Sequence, residues 1–291
     1  MATIINGKII AQHIRNALAA KVAELKKEGI VPTLAVILLG EDPASLSYIA
    51  GKEKALAQTG MKSREKRLPA DTSEAQLLQL IADFNTDPSV HGILVQLPLP
   101  AHINTERVLC ALDPAKDVDG FHPLSVGNVI LERAGFIPCT PQGIVVLLQE
   151  SHIPLDGAEV VIVGRSNLVG KPLANLLSRR SLNATVTLCH TGTKNLAAHT
   201  RNADIVIAAM GKPRFITADM VRAGAVVIDV GMNRVADTQA KNGYRLCGDV
   251  DYVPVAAKAS YITPVPGGVG PLTIAMLLKN VVDAATALRS T

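Results

Sequence analysis

Residues 159–172 read EVVIVGRSNLVGKP and combine a short apolar strand, a glycine turn and the beginning of a helix. In dinucleotide-binding folds, this order brings the amides and the dipole of a helix N-terminus to a pyrophosphate. The spacing departs from the usual G-x-G-x-x-G pattern, because Ser166 occupies the second glycine position and the next glycine is Gly170. Taken alone, the stretch fits either a nucleotide site or a plain strand-to-helix turn.

Strands and helices alternate around this stretch. The predicted strands are short and apolar on both faces, as in a doubly wound parallel sheet that is covered by helices. In this part of the chain we predict strands over residues 159–163, 185–189, 204–208 and 225–230, and helices over residues 143–150, 169–179 and 271–288. The polar segment 235–246 is predicted to be a surface loop.

The same alternation occurs before Pro138. We predict helices over residues 7–27, 43–59 and 73–85, and strands over residues 33–39 and 92–97. The fold class is therefore α/β with two domains. We expect an N-terminal α/β domain over residues 1–139, a Rossmann-type domain over residues 140–271, and a C-terminal helix, residues 272–291, that returns to the first domain.

The composition excludes several classes of protein. Of 291 residues, 48% are hydrophobic and 19% are charged, which is typical of a compact globular chain. The 29 Lys and Arg residues and 25 Asp and Glu residues form no basic run, and Trp is absent, so we expect no binding to nucleic acid. The four cysteines lie far apart, and no apolar run approaches the roughly 20 residues of a membrane span. We therefore expect a reduced, cytoplasmic protein without bound metal or membrane contact.

Tyr48 and Lys52 are four residues apart on a predicted helix, so their side chains share one face. Such a pair can hold a substrate and move a proton, although a lysine that lies along apolar surface beside a half-buried tyrosine gives the same pattern. Short-chain dehydrogenases also use this spacing, but there it follows the dinucleotide motif. Here it comes more than a hundred residues earlier, which disfavours that family.

Two further polar features precede Pro138. Gln96 ends an otherwise apolar strand, at the carboxyl edge where α/β sheets place their sites. Residues 116–120 read KDVDG and offer two acids in a turn. Each feature taken singly is a weak indication of function, and KDVDG fits a solvated loop equally well.

The residues after the strand 185–189 bear on the choice of cofactor. NAD enzymes usually place Asp or Glu there against the ribose 2′-hydroxyl, whereas residues 190–193 of this chain read HTGT. Arg165 stands just beyond the glycine turn, so the site can accept a 2′-phosphate, which favours NADP over NAD. A solvated Arg165 on the surface is the alternative interpretation.

A loop rich in glycine and proline, SYITPVPGGVGPLT over residues 260–273, leads into the final apolar helix. Its backbone carries little side-chain bulk, so a flat ligand or a phosphate can approach its main-chain N–H groups closely. Taken alone, the loop fits equally a tight turn that caps the helix.

Six segments follow one another in order along the chain: Tyr48 with Lys52, VQLPLP, KDVDG, PCTPQG, VGRSxxVGKP and TPVPGGVGPLT. Taken together and in this order, they resemble the bifunctional methylenetetrahydrofolate dehydrogenase/methenyltetrahydrofolate cyclohydrolase family. The resemblance implies a cytoplasmic homodimer in which a catalytic domain and an NADP domain flank a folate cleft. It also implies two activities of one-carbon metabolism: NADP-dependent oxidation of 5,10-methylenetetrahydrofolate, and hydrolysis of the 5,10-methenyl product to 10-formyltetrahydrofolate.

The resemblance assigns roles to individual residues. Lys52 maps to the lysine on which cyclohydrolase activity depends, Tyr48 contacts the folate, and Asp119 holds the amino-pyrimidine edge by paired hydrogen bonds. Gln96 maps beside the lysine, and we expect it to orient Lys52. The other implied folate-binding residues are Val95, Leu97, Pro266, Gly267 and Gly270. The implied NADP-binding residues are Thr140, Gly164, Arg165, Ser166, Val169, Thr191, Met232 and Thr273.

The proposed role of Lys52 places a demand on its pKa. A free lysine has a pKa of about 10.4, so a base that works near neutrality needs a pKa roughly three units lower. Burial and the positive charge of a methenyl substrate both act in that direction. Hydride transfer to NADP instead requires orientation more than acid or base, because the neighbouring nitrogens stabilise the cation that forms.

Alternatives remain for the cofactor and for the function. Related sequences commonly read CHS and then a basic residue where this chain has Thr191 and Gly192, so one contact to a 2′-phosphate is weakened. A different two-domain dehydrogenase, or a nucleotide-sensing module without turnover, would share the Rossmann-type half. Neither explains VQLPLP and KDVDG, and the retained Lys52, Gln96 and Asp119 argue against a module without turnover.

Overall fold

The computed structural model describes residues 1–41, 43–240 and 243–288, and the side chains of residues 43–48 are not described. In chain order the helices and strands are β1 (Thr3–Ile4), α1 (Gly7–Lys27), β2 (Thr33–Leu39), α2 (Pro43–Thr59), β3 (Lys62–Leu68), α3 (Glu74–Thr86), β4 (Gly92–Val95), α4 (Thr105–Cys110), α5 (Pro123–Ile130), α6 (Cys139–Glu150), β5 (Glu159–Val163), α7 (Gly170–Leu177), β6 (Thr185–Cys189), α8 (Leu196–Asn202), β7 (Ile205–Ala208), β8 (Val226–Asp229), β9 (Asn233–Ala236), β10 (Tyr244–Cys247), α9 (Tyr252–Ala256), β11 (Tyr261–Ile262) and α10 (Val269–Ala287).

The chain divides into two compact units. The three-stranded unit comprises Gln12–Cys139 and Ile274–Thr291 and contains the sheet β3-β2-β4. The six-stranded unit comprises Met1–Ala11 and Thr140–Thr273 and contains the sheet β1-β11-β8-β7-β5-β6. The α/β fold class with a Rossmann-type sheet is therefore confirmed.

In the three-stranded unit, β2 runs parallel between β3 and β4. All seven residues of β2 are buried, as expected for an apolar run that is covered on both faces. Helix α3 begins with a capping box, in which the Ser73 hydroxyl accepts from the Gln76 N–H and the Gln76 side chain accepts from the Ser73 N–H. Its apolar face, with Ile81 and Phe84, packs with residues of β2 and β4 into one core. This packing fixes the carboxyl end of β4, where Gln96 follows.

In the six-stranded sheet, all paired strands are parallel. Strands β7 and β8 are fully buried and form the centre of the core with β5. The strand order reverses at β5, which has β6 on one side and β7 on the other. Open α/β sheets bind ligands at the carboxyl ends of the strands at such a point. A ligand is therefore expected at the turns that follow β5, β6 and β7.

The first eleven residues lie in the six-stranded unit. We had expected residues 1–139 to form one N-terminal domain. Strand β1 pairs with β11, so Thr3 and Ile4 align with Tyr261 and Ile262. A two-residue strand is too short to show a periodic pattern, and its partner lies near the other end of the chain. The sequence therefore gave no local indication of this pairing.

The prediction of a surface loop over residues 235–246 is only partly right, because residues 235–236 belong to β9 and residues 244–246 belong to β10, and these two strands pair antiparallel. The structure also contains β3, α4 and α5, which the sequence analysis did not identify. Strand β3 reads KSREKRL and is mostly exposed, since it lies at the edge of its sheet. Charged edge strands lack the apolar alternation on which strand prediction depends.

Within residues 1–41, 43–240 and 243–288, no helix is long and apolar enough to cross a bilayer. The same residues contain no group of three or more His, Cys, Asp or Glu side chains that could hold a metal ion.

Candidate active site

Lys52 and Gln96 meet in the three-stranded unit. Lys52 lies on α2 and is only 6% exposed, and Gln96 directly follows β4. Lys52 Nζ donates a hydrogen bond to Gln96 Oε1 at 3.0 Å. Gln96 Nε2 in turn donates to the carbonyl oxygen of Leu97 at 2.8 Å, which fixes the orientation of the amide. The side chain of Gln96 therefore aims the lysine amine.

Burial favours the neutral form of this amine. It lowers the pKa of Lys52 below the ordinary lysine value, while the nearby Asp119 and Cys139 oppose the decrease. For Asp119, burial raises the pKa of the carboxyl, and the Lys52 charge and a hydrogen bond with Cys139 oppose the increase. Lys52, Asp119 and Cys139 thus form one electrostatically linked group. A lysine in this setting releases its proton more readily than a lysine in water.

The two acids of KDVDG have different roles. Asp117 is fully buried and accepts hydrogen bonds from the His122 N–H at 2.8 Å and from Ser125 Oγ at 2.7 Å, so it closes the turn onto α5. Burial raises the pKa of Asp117 to about 6. Lys116 is also buried, and its Nζ donates to the carbonyl oxygens that end α3, Phe84 at 3.0 Å and Asp87 at 2.7 Å. Asp119 is the acid of this pair that interacts electrostatically with Lys52.

Cys139 is a residue that the sequence analysis did not place in the site. It is 1% exposed, and its thiol donates to the carbonyl oxygen of Val118 at 3.3 Å. Burial and the charge of Asp119 raise the pKa of this thiol well above its usual value, so it stays protonated and acts as a donor. Its position in PCTPQG was the one available indication, since that motif carries part of the family resemblance.

The remaining predicted folate-binding residues occupy two places. Tyr48 lies on α2 one turn before Lys52, and its side chain is outside the described part of the structure. The Val95 side chain belongs to the apolar core, so Val95 can offer only main-chain groups to a ligand, and Leu97 is half-buried. Pro266, Gly267 and Gly270 lie in the six-stranded unit.

The turn between β5 and α7 is packed too closely to accept side chains at its glycines. A Cβ at Gly164, which has φ +127°, would lie 2.1 Å from the carbonyl oxygen of Ala209, and a Cβ at Gly170 would lie 1.9 Å from that of Gly164. Ser166, in the second glycine position, turns its hydroxyl toward the helix and accepts from the Val169 N–H at 3.1 Å. The turn brings bare backbone and a helix N-terminus together, the arrangement that binds a pyrophosphate.

Two exposed residues stand at the same edge of the sheet. Arg165 follows β5 and Thr191 follows β6, and the final residues of these strands, Val163 and Cys189, are aligned. The turn after β6 is held by a hydrogen bond from the His190 N–H to the Thr193 hydroxyl at 2.8 Å. Residues 190–193 contain no carboxylate that would repel a 2′-phosphate.

Two buried acids that the sequence analysis missed shape the turns after β7 and β8. Asp249 accepts from the N–H groups of Met210 and Gly211 at 2.7 and 2.8 Å. Asp229 accepts from the N–H groups of Asp249 and Gly231 at 2.9 and 3.0 Å, and burial raises the pKa of Asp229 to about 7. Met232, a predicted cofactor contact, follows in this turn and is 42% exposed.

The backbone of the closing loop, residues 260–273, packs closely against neighbouring backbone. A Cβ at Gly268 would lie 2.7 Å from the carbonyl oxygen of Pro264, and a Cβ at Gly7 would lie 1.8 Å from that of Gly268. Gly267 has φ +115°, and its nearest neighbour is the flexible end of Lys8. The backbone is therefore packed more closely at Gly268 than at Gly267. Beyond the loop, the hydroxyls of Thr140 and Thr273 are 3.0 Å apart, so these two predicted cofactor contacts lie together.

Comparison with known proteins links both units to one family. Residues 5–119 match the catalytic domain of tetrahydrofolate dehydrogenase/cyclohydrolase, and residues 138–289 match its NAD(P)-binding domain. The bifunctional protein FolD of Syntrophus aciditrophicus is 57% identical over 286 residues, which cover 98% of this chain and 97% of that protein.

Two solved structures are similar over almost their whole length. The bifunctional FolD dehydrogenase/cyclohydrolase of Campylobacter jejuni has a TM-score of 0.94 at 46% identity and covers 99% of both chains. The Trypanosoma brucei enzyme, solved with NADP cofactor and an inhibitor, has a TM-score of 0.96 at 38% identity and covers 100% of this chain and 99% of its own.

Proposed function

The chain belongs to the tetrahydrofolate dehydrogenase/cyclohydrolase family, and we propose that it oxidises 5,10-methylenetetrahydrofolate with NADP and hydrolyses the 5,10-methenyl product to 10-formyltetrahydrofolate. The observation that carries this proposal is the buried amine of Lys52, which is bonded to Gln96 and interacts electrostatically with Asp119. The family match extends over both halves of the chain. It therefore disfavours the two alternatives, another dehydrogenase and a nucleotide-sensing module without turnover.

The chemistry of the second step fits Lys52. When water attacks the methenyl carbon, it must lose a proton, and N5 must gain one as the ring opens. A neutral Lys52 can donate one N–H to Gln96 Oε1 and keep its lone pair for the proton of the water. The resulting ammonium can then return a proton to N5. The second proton of the water leaves to solvent, so the step consumes one water and releases one proton.

Asp119 and the residues around it supply orientation. A carboxylate that accepts two hydrogen bonds can hold the amino-pyrimidine edge of the folate in one direction. We assign the folate contacts to Tyr48, Asp119, Leu97 and the main chain of Val95. Pro266, Gly267 and Gly270 are proposed as further contacts from the closing loop.

NADP, when bound, supplies the acceptor for the hydride. The close-packed turn at Gly164 and Gly170 fits a pyrophosphate, because the two glycines carry no side chain beside the N-terminus of α7. The exposed Arg165 can pair with a 2′-phosphate. The other proposed contacts are Thr140, Ser166, Val169, Thr191, Met232 and Thr273.

A spectrophotometric assay tests the proposal. The protein is mixed with methylenetetrahydrofolate and either NADP or NAD, and the absorbances of the reduced cofactor and of methenyltetrahydrofolate are followed. We expect turnover with NADP and a decay of methenyl absorbance faster than the uncatalysed rate. Absence of turnover with both cofactors contradicts the proposal.

We further propose that the enzyme is a cytoplasmic homodimer that binds neither nucleic acid nor membrane. This part of the proposal rests on the family resemblance, which implies a homodimer. Light scattering coupled to size exclusion should give twice the mass of the chain. A monomer at all accessible concentrations contradicts this part of the proposal.

A further inference from the structure

The turn that carries Asp119 is held from the final helix. Asn280 on α10 is 3% exposed, and its Nδ2 donates to the carbonyl oxygen of Val118 at 2.8 Å and to that of Ile137 at 3.3 Å. The Cys139 thiol also donates to the Val118 oxygen, at 3.3 Å. Two donors on one carbonyl fix the direction in which it points.

That carbonyl belongs to the peptide group between Val118 and Asp119. Because a peptide group is planar, the direction of the Val118 carbonyl also fixes the nitrogen from which Asp119 continues. The Val118 side chain packs directly on the backbone of Gly92, since a Cβ at Gly92 would lie 2.6 Å from Val118 Cγ1. On the other side, Gly120 has φ +74° and packs so closely that a Cβ there would lie 2.7 Å from Pro138 N. Both neighbours of Asp119 are therefore fixed.

We propose that Asn280 is a positioning residue of the folate site, which acts through the Val118–Asp119 peptide to aim the Asp119 carboxylate at the amino-pyrimidine edge. This inference rests on the proposed function, in which Asp119 holds that edge. Asn280 lies 162 residues after Val118 and in none of the motifs that carry the family resemblance. Its neighbours on α10, such as Leu278 and Val281, are buried and apolar. A buried amide among them is expected only where it has partners to satisfy.

Asn280→Leu tests the inference, because leucine keeps most of the volume and removes the donor. We expect the KM for methylenetetrahydrofolate to rise about tenfold, the loss expected for a misaligned charged hydrogen bond, and the KM for NADP to change less than twofold. If Asn280 acts through Asp119, the two substitutions are not additive. In an Asp119→Asn background, Asn280→Leu should therefore change the folate KM less than twofold.

Val282→Ala is the matched control, since Val282 is fully buried on the same helix. It should lower the unfolding midpoint without raising the folate KM. The inference is overturned if Val282→Ala raises the folate KM as much as Asn280→Leu does. It is also overturned if the effects of Asn280→Leu and Asp119→Asn multiply.

A crystal structure of the Asn280→Leu variant gives a readout that needs no folate. We expect the Val118–Asp119 peptide to be rotated relative to the parent protein, and an unchanged peptide overturns the inference. If the proposed function is wrong, the parent protein shows no turnover with the folate. The crystal structure of the variant still reports the position of Asp119 in that case, so the two failures can be told apart.

Discussion

Lys52 Nζ lies 3.0 Å from Gln96 Oε1, and the Gln96 amide cannot turn away because its Nε2 is bonded to the carbonyl oxygen of Leu97. The amine of a helix residue is thus aimed by the residue that follows a buried strand. Burial lowers the pKa of Lys52, and the fixed amide gives its lone pair a defined direction. Both features are needed for a base that acts on one particular water molecule.

Lys52→Met should reduce methenyltetrahydrofolate hydrolysis by about 10²–10⁴-fold, the usual contribution of a general base. Part of the dehydrogenase activity should remain, because hydride transfer depends mainly on orientation. The measurement is the decay of methenyl absorbance, compared with NADPH formation by the same variant. Lys54→Met, at an exposed position on the same helix, is the control and should be neutral. Unchanged hydrolysis in Lys52→Met removes Lys52 from the mechanism.

Gln96→Glu should move the pH profile of hydrolysis. A carboxylate beside Lys52 favours the ammonium form and raises the pKa of the lysine, typically by one unit or more. The neutral base then appears only at higher pH, so we expect the rising limb of the hydrolysis rate to shift upward by about one unit. Gln58→Glu, exposed on α2, should leave the profile in place. A Gln96→Glu profile that coincides with that of the parent would show that Gln96 does not control the lysine.

Sequence motifs predicted the residues that are proposed to carry the chemistry, but not the residues that hydrogen-bond around them. Lys52 and Gln96 each lie in a recognisable segment, and the structure brings them into contact. Cys139 and Asn280 both donate to the carbonyl oxygen of Val118, which is 21 and 162 residues away from them. Contacts of this kind depend on how the helices pack and leave no local pattern.

Local sequence patterns also predicted only some of the strands. Strands β2, β5 and β6 were predicted with their observed bounds, because their apolar runs are bounded by turn residues. Strand β3 and the β9–β10 hairpin are rich in polar residues and depend on pairing with a neighbour. Their sequences resemble those of loops, since one or both faces contact water.

Asp229 should make the stability of the protein depend on pH. Burial raises the pKa of Asp229 to about 7, whereas an unfolded aspartate has a pKa near 3.9. The folded state therefore holds this proton more tightly. The protonated Asp229 contributes fully to the free energy of unfolding below about pH 4. This contribution, on the order of 4 kcal/mol, is lost as the pH rises through about 7.

Urea denaturation of the parent and of Asp229→Asn at several pH values measures this contribution. The asparagine does not titrate, so the difference between the two free energies of unfolding should vary with pH between about 4 and 7. The raised pKa of Asp117 adds a similar slope to both proteins and cancels in the difference. Parallel curves would show that Asp229 does not titrate in this range.

Gly170→Ala should impair NADP binding. The added methyl would lie 1.9 Å from the carbonyl oxygen of Gly164, so the backbone of the turn must move away from the position that receives the pyrophosphate. We expect the dissociation constant for NADP to rise at least about tenfold, as for the loss of one charged hydrogen bond. Gly127→Ala serves as the control, because nothing lies within 4 Å of a Cβ there. Equal NADP affinities in the two variants would place the cofactor elsewhere.

Arg165→Ala tests the preference for NADP over NAD. If the Arg165 guanidinium pairs with the 2′-phosphate, its removal should raise the KM for NADP about tenfold and leave the KM for NAD nearly unchanged, because NAD lacks that phosphate. Lys171→Ala is the matched control, since Lys171 is also exposed in this region but is bonded to Asn167. Loss of the Lys171 side chain should change the KM values for NADP and NAD little. Because residues 190–193 offer no carboxylate to hold the ribose 2′-hydroxyl of NAD, the parent enzyme should turn over NAD more slowly than NADP. An Arg165→Ala variant that loses NADP and NAD activity to the same extent would assign Arg165 to the shared pyrophosphate instead.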